Sequence, residues 1–201
     1  RSGVGELTLV DSDTITLTNL NRQLEALHST LGQPKRRRWP PVCGTSIRMQ
    51  SSILSTVSMT PLSPGSVLLR SCRYDYIVDA IDLVSCKLDL AETALKLNIP
   101  LIAALGTGNK LDPTLLQVTD ISKTYGLPPG PGDAQGTPDQ RHSPSEGGVQ
   151  PEKPVSPAQP EAPPPGRRSV PASNPWVPAT AGLLLGSAVV RDLIAQVSLP
   201  R

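Results

Sequence analysis

The 201-residue chain contains no phenylalanine, and its aromatic content is only 2%. A globular domain of this length draws much of its core volume from aromatic side chains, so the shortage asks for a cause. A dominant charge is also lacking. At a net charge of +2 and a pI of about 8.5, charge alone cannot argue nucleic-acid binding. Cysteine is scarce, and Cys43, Cys72 and Cys86 form no C-x-x-C pair. That argues against a zinc knuckle and a disulfide framework, and leaves buried or incidental thiols as the expectation. No run is as apolar and as long as the roughly 20 residues a bilayer span requires. The longest, Ala181 to Val190, is followed at once by Arg191 and Asp192. A buried or interfacial helix is expected there, with membrane contact disfavoured but open. The chain opens at Arg1 without an apolar leader, and a cytoplasmic location is expected.

Proline and glycine, by contrast, are abundant at 23 and 16 residues, and most prolines follow position 126. Before that point the patterning is regular. "ELTLV" (Glu6 to Val10) alternates and carries β-branched residues, which predicts a strand. "RQLEALHSTLG" places Leu24, Leu27 and Leu31 at helical spacing before the stop signal Gly32, which predicts a helix. "YDYIVDAID" (Tyr74 to Asp82) predicts a second strand with acids at its carboxyl end. "VSCKLDLAETALKLN" (Val84 to Asn98) predicts an amphipathic helix, its stripe built from Leu88, Ala91 and Leu95 with Leu90 and Ala94. Ile99 to Gly108 predicts a third strand and Leu115 to Thr124 a fourth. Pro178 to Val197 predicts a final helix with Pro178 in its first turn. Strands alternating with helices imply an α/β fold, a Rossmann-like and mostly parallel sheet with flanking helices. Ligands of such sheets sit at the carboxyl ends of strands, where Asp11, Asp13, Asp79 and Asp82 all fall.

Two windows break the pattern. Arg36 to about Cys72 has no sustained period, and so long a loop is unusual inside a compact domain. Leu127 to about Gln150 is rich in Pro, Gly and Ser, like a linker.

"RSGVGELTLVDSDTITLTNLNRQ", then "GQPK", "DYIVDAID" and "IPLIAALGTGNKLDPTLLQVTDISKT" resemble the ThiF/MoeB/ubiquitin-activating group of adenylating enzymes. "DAID", "GTGNKLDPT", "QVTDISKT" and the C-terminal "PPPGRRSVPASNPWVPATAGLLLGSAVVRDLI" are similar to its tRNA threonylcarbamoyladenosine dehydratase branch in particular. Together they cover roughly half the chain. The family opens with a strand, a glycine loop that cradles nucleotide phosphates, and a helix ending near "RSGVG". The resemblance therefore implies an N-terminally truncated, incomplete fold. It also bears on the two windows. Synonymous codons for Arg37 to Pro64, read two bases later, can spell "AVAARLRDINPDAVIHPLYRLYDAFIP", a helix, a turn and an aromatic strand. Those for Pro129 to Asp139, read one base later, can spell "LARVMRKELR". Both windows are thus expected to be out of frame, which would account together for the missing Phe, the excess Pro and the lost period. A genuine long loop and a genuine linker are the plainer alternatives. With the first strand absent and two windows scrambled, poor packing and weakly cooperative unfolding are expected.

The resemblance implies three parts: residues 1–126 as a partial ATP-binding adenylation domain, 127–177 as a Pro-rich loop or out-of-frame segment, and 178–197 as a helix packing on the domain. It also implies ATP and Mg2+ as cofactors. Adenylation builds negative charge on phosphate oxygens, so the site needs cations, positioned donors and a metal. Asp11 would hold the ribose hydroxyls. Arg22 offers a planar fork for phosphate oxygens and Lys35 a point charge. Asn19 donates a neutral hydrogen bond to a phosphate without competing for the metal. Asp82 would reach magnesium through one carboxylate, with water and phosphate completing the shell. Arg22 and Asp82 are the implied catalytic residues; Asp13 and Gln23 are weaker candidates. Taken singly, each has a plainer reading. Asp11 and Asp82 could cap a turn or a helix, and Arg22 and Lys35 could be solvated charges. The ordered set at family spacing is what points to a site.

The implied substrate is threonylcarbamoyladenosine beside the tRNA anticodon. Its threonyl carboxylate would be activated by ATP and closed into a ring with release of AMP. No cysteine nucleophile is required, so Cys86 is read as packing. Arg167 and Arg168, in the matched C-terminal part, are candidate tRNA contacts, with a solvated loop as the equal alternative; a homodimer is implied, and a sulfur-transfer partner is left open. The alternatives are an activating enzyme for a ubiquitin-like sulfur carrier, whose relatives usually carry C-x-x-C pairs, and a non-catalytic or nicotinamide-binding Rossmann-like fragment.

Overall fold

The computed structural model describes residues 2–38, 52–55, 73–120, 145–149 and 172–198. The rest of both irregular windows, with Cys43, Cys72, Arg167 and Arg168, lies outside the described residues. Strand β1 (Leu7–Val10) pairs in parallel with β2 (Ser52–Ser55), in the register Leu7 to Ser52 and Val10 to Ser55. A second sheet has the order β3-β4-β6-β5, with β3 at Ile77–Asp79, β4 at Leu101–Ala104, β5 at Gln117–Asp120 and β6 at Ser145–Val149. Pairing is parallel from β3 through β4 to β6, and antiparallel between β6 and β5. The mostly parallel α/β arrangement expected from the sequence is therefore present. The four strands expected from sequence are β1, β3, β4 and β5. β2 and β6 fall inside the irregular windows, where no period announced them, and β6 is a central strand.

Helix α1 (Val84–Lys96) crosses between β3 and β4. Its buried face is Cys86, Leu90, Thr93 and Ala94, which corrects the expected stripe. Leu88 and Leu95 are 60% and 47% exposed. The spacing of residues 86, 90 and 94 is equally helical, so Leu90 and Ala94 of the expected stripe are kept while Cys86 and Thr93 take the places expected of Leu88 and Leu95. Cys86 is a buried thiol on this face. Along β4 the pleat divides the side chains. Leu101 and Ala103 join Ile77, Leu90 and Ala94 in one core cluster, while Ile102, fully buried, lies outside it.

Helix α2 (Trp176–Ser198) packs against β4, β5 and β6. Val177, Ala181 and Leu185 are its buried residues, and Tyr76 Oη donates to Asp192 Oδ2 at 2.9 Å. The helix is longer than the apolar run from Ala181 to Val190. Its window Trp176–Gln196 has a mean hydropathy of 1.4, so by length and composition it is long and apolar enough to cross a membrane.

The helix expected over residues 22–32 is absent. Ala26, Thr30 and Gln33 each donate their N–H three residues back, and only His28–Thr30 winds into a short 3₁₀ turn. Thr30 is the physical reason. Thr30 is 1% exposed; its hydroxyl shares its one proton between the carbonyls of Glu25 and Leu27 and accepts from Leu27 N–H. These bonds satisfy the backbone in a non-helical form. Leu24 and Leu27 are left 72% and 53% exposed.

Candidate functional site

The loop from Asp11 to Arg38 leaves the carboxyl end of β1 and folds back on itself. Ile15 exchanges backbone bonds with Gln33 and Gly32, both at 2.9 Å, and Thr14 bridges to Pro34. Gly32 has φ +77°, which a side chain would strain. This return brings Lys35 beside Asp13. Lys35 N–H donates to the Asp13 carbonyl, and Lys35 Nζ reaches Asp13 Oδ2, both at 3.0 Å. Asp11 Oδ1 accepts from Asp13 N–H at 2.8 Å. Asp11, Asp13 and Lys35 therefore form one bonded chain, and Asp13, the weaker expectation, is its middle link.

Asn19 and Arg22 lie on the next turn, where Asn19 O accepts from Arg22 and Gln23 N–H at 3.1 and 3.0 Å. Asn19 is buried. Its Oδ1 accepts from Thr16 N–H and Thr16 Oγ1. The oxygen must face Thr16 to accept the N–H, so Nδ2 is the end left to donate. Arg22 Nη1 donates to Thr18 O at 2.7 Å and Asn21 Oδ1 at 3.0 Å. Those bonds hold one part of the fork and leave its other N–H groups without a partner among the described residues. Gln23 Oε1 is buried and likewise unpartnered among them.

Asp82 comes from a different strand end, in the turn between β3 and α1. It is exposed, and its carboxylate has no hydrogen bond or ion pair to a described residue. None joins it to Asp11, Asn19, Arg22 or Lys35 either. Asp79, three residues earlier, is 2% exposed and paired with Lys87 at 3.1 Å. A lone exposed carboxylate suits magnesium, which keeps several waters and takes phosphate oxygens. Among the described residues no group of three or more His, Cys, Asp or Glu could cage a metal.

A third feature escaped the sequence reading. The turn after β4 is tied to the segment before α2 by amides. Asn109, at φ 58°, donates N–H to Ala172 O at 2.9 Å and accepts from Ala172 N–H through Oδ1 at 2.7 Å. Asn174 Nδ2 donates to Lys110 O at 2.6 Å, and Trp176 Nε1 to Leu111 O at 2.7 Å. Asn21 Nδ2 donates to Ser173 O at 2.9 Å. "NLNRQ", "GTGNKLD" and "ASNPW" are thus joined in space. The available signal was the asparagine at the centre of each of these motifs.

The sequence profile of the ThiF family matches residues 1–144. The chain belongs to the ThiF family. It is 34% identical over 215 residues to the tRNA threonylcarbamoyladenosine dehydratase of Bacillus subtilis (strain 168), a match covering 100% of this chain and 82% of that protein. It is 39% identical over 131 residues to the enzyme of that name from Haemophilus influenzae, covering 62% of this chain but 47% of the relative. This second match thus spans about half the length of its relative. The solved E. coli tRNA N6-threonylcarbamoyladenosine dehydratase, TcdA, in complex with ATP is similar to it with a TM-score of 0.77 at 26% identity, covering 96% of this chain and 77% of that one. Within the ThiF family, then, these relatives are dehydratases by name, and one is known with ATP bound.

Proposed function

We propose that this chain binds ATP at the carboxyl ends of β1 and β3 and belongs to an ATP-dependent tRNA threonylcarbamoyladenosine dehydratase. The similarity to a dehydratase solved with ATP carries this reading. The loop from Asp11 to Lys35 supports it, because it gathers a ribose-type acid, an amide donor and two cations on one return of the chain. Asp11 would hold the ribose. Asn19 Nδ2, the unheld part of the Arg22 fork and Lys35 would take phosphate oxygens. Lys35 would exchange Asp13 for phosphate, since both are oxygen anions. Asp82 would hold Mg2+ through one carboxylate, and the ion, when bound, supplies charge neutralisation to the phosphates.

The reaction expected is attack of the threonyl carboxylate oxygen on the α-phosphorus, with loss of pyrophosphate, followed by ring closure that expels AMP. Arg22 and Lys35 would oppose the charge that develops on the phosphates, which is where fixed cations accelerate the step. The tRNA would be the macromolecular partner, with Arg167 and Arg168 near it, in the cytoplasm and as a homodimer. The domain division at residues 126 and 177 and the out-of-frame origin of the two windows remain part of this proposal. Resequencing the coding DNA tests that origin.

The experiment is incubation of the chain with ATP, Mg2+ and tRNA bearing threonylcarbamoyladenosine. Stoichiometric AMP and loss of one water mass from the modified nucleoside are expected. A nicotinamide nucleotide binding more tightly than ATP would overturn the reading. Pyrophosphate exchange stimulated by a sulfur-carrier C-terminus, with no change in the tRNA, would favour the sulfur-carrier alternative.

A further inference from the structure

Asp79 and Lys87 are not among the residues expected to contact nucleotide. Their side chains are 1% and 15% exposed, whereas the ion pairs Lys35–Asp13 and Lys96–Glu92 each have at least one partner well exposed. Burying two charges is costly, and apolar replacements of such pairs are often as stable or more so. The position adds to the cost. Lys87 is the fourth residue of α1, near the end of the helix where the dipole disfavours a cation. A plain packing role therefore explains this pair poorly.

Its connections explain it better. Lys87 Nζ donates to Asp79 Oδ2 and to Ala104 O, both at 3.1 Å, tying α1 to the carboxyl ends of β3 and β4. Asp79 Oδ1 accepts from Ile81 N–H at 2.8 Å. Leu83 O accepts from Cys86 and Lys87 N–H, both at 3.1 Å. Asp82 is thus held between two pinned neighbours while its own carboxylate stays exposed. We propose that the Asp79–Lys87 pair is a positioning device for Asp82, fixing the turn that presents this carboxylate to a divalent cation carried by a nucleotide triphosphate. The inference rests on the ATP and magnesium reading above.

The test is equilibrium titration of the chain with ATP, with and without Mg2+, by calorimetry. The unchanged chain is compared with Lys87→Met and with the double variant Asp79→Asn/Lys87→Met, alongside their urea midpoints. The double variant removes both charges yet keeps an oxygen for Ile81 N–H, so it is expected to fold even where the single variant strands a buried carboxylate. In both variants the gain in ATP affinity conferred by Mg2+ is expected to fall about tenfold, the usual size for groups that orient a metal ligand. ATP affinity without metal is expected to stay unchanged. A double variant whose magnesium gain matches the unchanged chain would overturn the inference and leave the pair as structural filler. If the unchanged chain itself binds ATP with no magnesium gain, the functional reading fails first and this inference with it.

Discussion

Lys35 is a buried ammonium whose one ion-pair partner among the described residues is Asp13, with a side chain 68% exposed. A cation removed from water but held by a carboxylate in water is poised to exchange that partner for another anion. Lys35→Met is accordingly expected to weaken ATP binding about tenfold to a hundredfold, the range for losing a hydrogen bond to a charged group. Lys35→Arg is not expected to restore it, because a planar fork does not fit the space of a compact ammonium. Titration with ATP checks both, and unchanged affinity in Lys35→Met would remove Lys35 from the site. Asp112 is a structural carboxylate of a different kind. Thr114 Oγ1 and Thr114 N–H donate to its Oδ1 at 2.6 and 2.8 Å, and these bonds hold its carboxyl below the usual value. A depressed folded pKa means stability that is present above the unfolded value and lost as pH falls through the folded one. Asp112→Asn is therefore expected to flatten the acid limb of urea midpoints measured from about pH 5 to pH 2.5. An acid limb identical to that of the unchanged chain would count against this cap.

At the scale of elements, the tie between the β4 turn and the start of α2 matters most. Asn174 Oδ1 accepts from Val177 N–H at 2.8 Å, in the first turn of α2, while its Nδ2 reaches Lys110 O. One amide thus caps a helix and docks it. Asn174→Ala is expected to cost about 1–2 kcal/mol, the range for a lost cap. The midpoint of urea unfolding checks it, and a midpoint unmoved within error would show that water replaces both bonds. This contact also marks where sequence reading stops. β1, β3, β4, β5 and both helices were legible, because alternation or a helical stripe reports burial on one face. The turns of residues 22–32 were not, since Thr30 competes for the backbone through contacts that no period records. β2 and β6 were not either, because "SILS" and "SEGGV" lack the alternation of a half-buried strand. The separate pieces of the candidate site were visible as types at a spacing. The Asp11–Asp13–Lys35 chain, the orientation of Asn19 and the Asp79–Lys87 pair needed the return of the chain, which only three dimensions show.

Across the whole molecule the candidate site is divided. Asp11, Asn19, Arg22 and Lys35 follow the small β1-β2 sheet, and Asp82 follows the four-stranded one. The side-chain bond from Asn21 to Ser173 is one thread between them. A nucleotide whose ribose and phosphates engage the first group and whose metal engages Asp82 would join both sheets. A ligand that binds only the joined state stabilises it by about 2.7 kcal/mol at a hundred times its Kd. Amide hydrogen exchange in residues 11–23 and in residues 79–83 is therefore expected to slow together on addition of ATP with Mg2+. With ATP alone, only the first stretch is expected to slow, because in the proposed reading the metal is the part that would reach Asp82. Protection confined to residues 11–23 under both conditions would place the nucleotide on the β1 side alone. It would also leave the exposed Asp82 carboxylate as a simple turn residue.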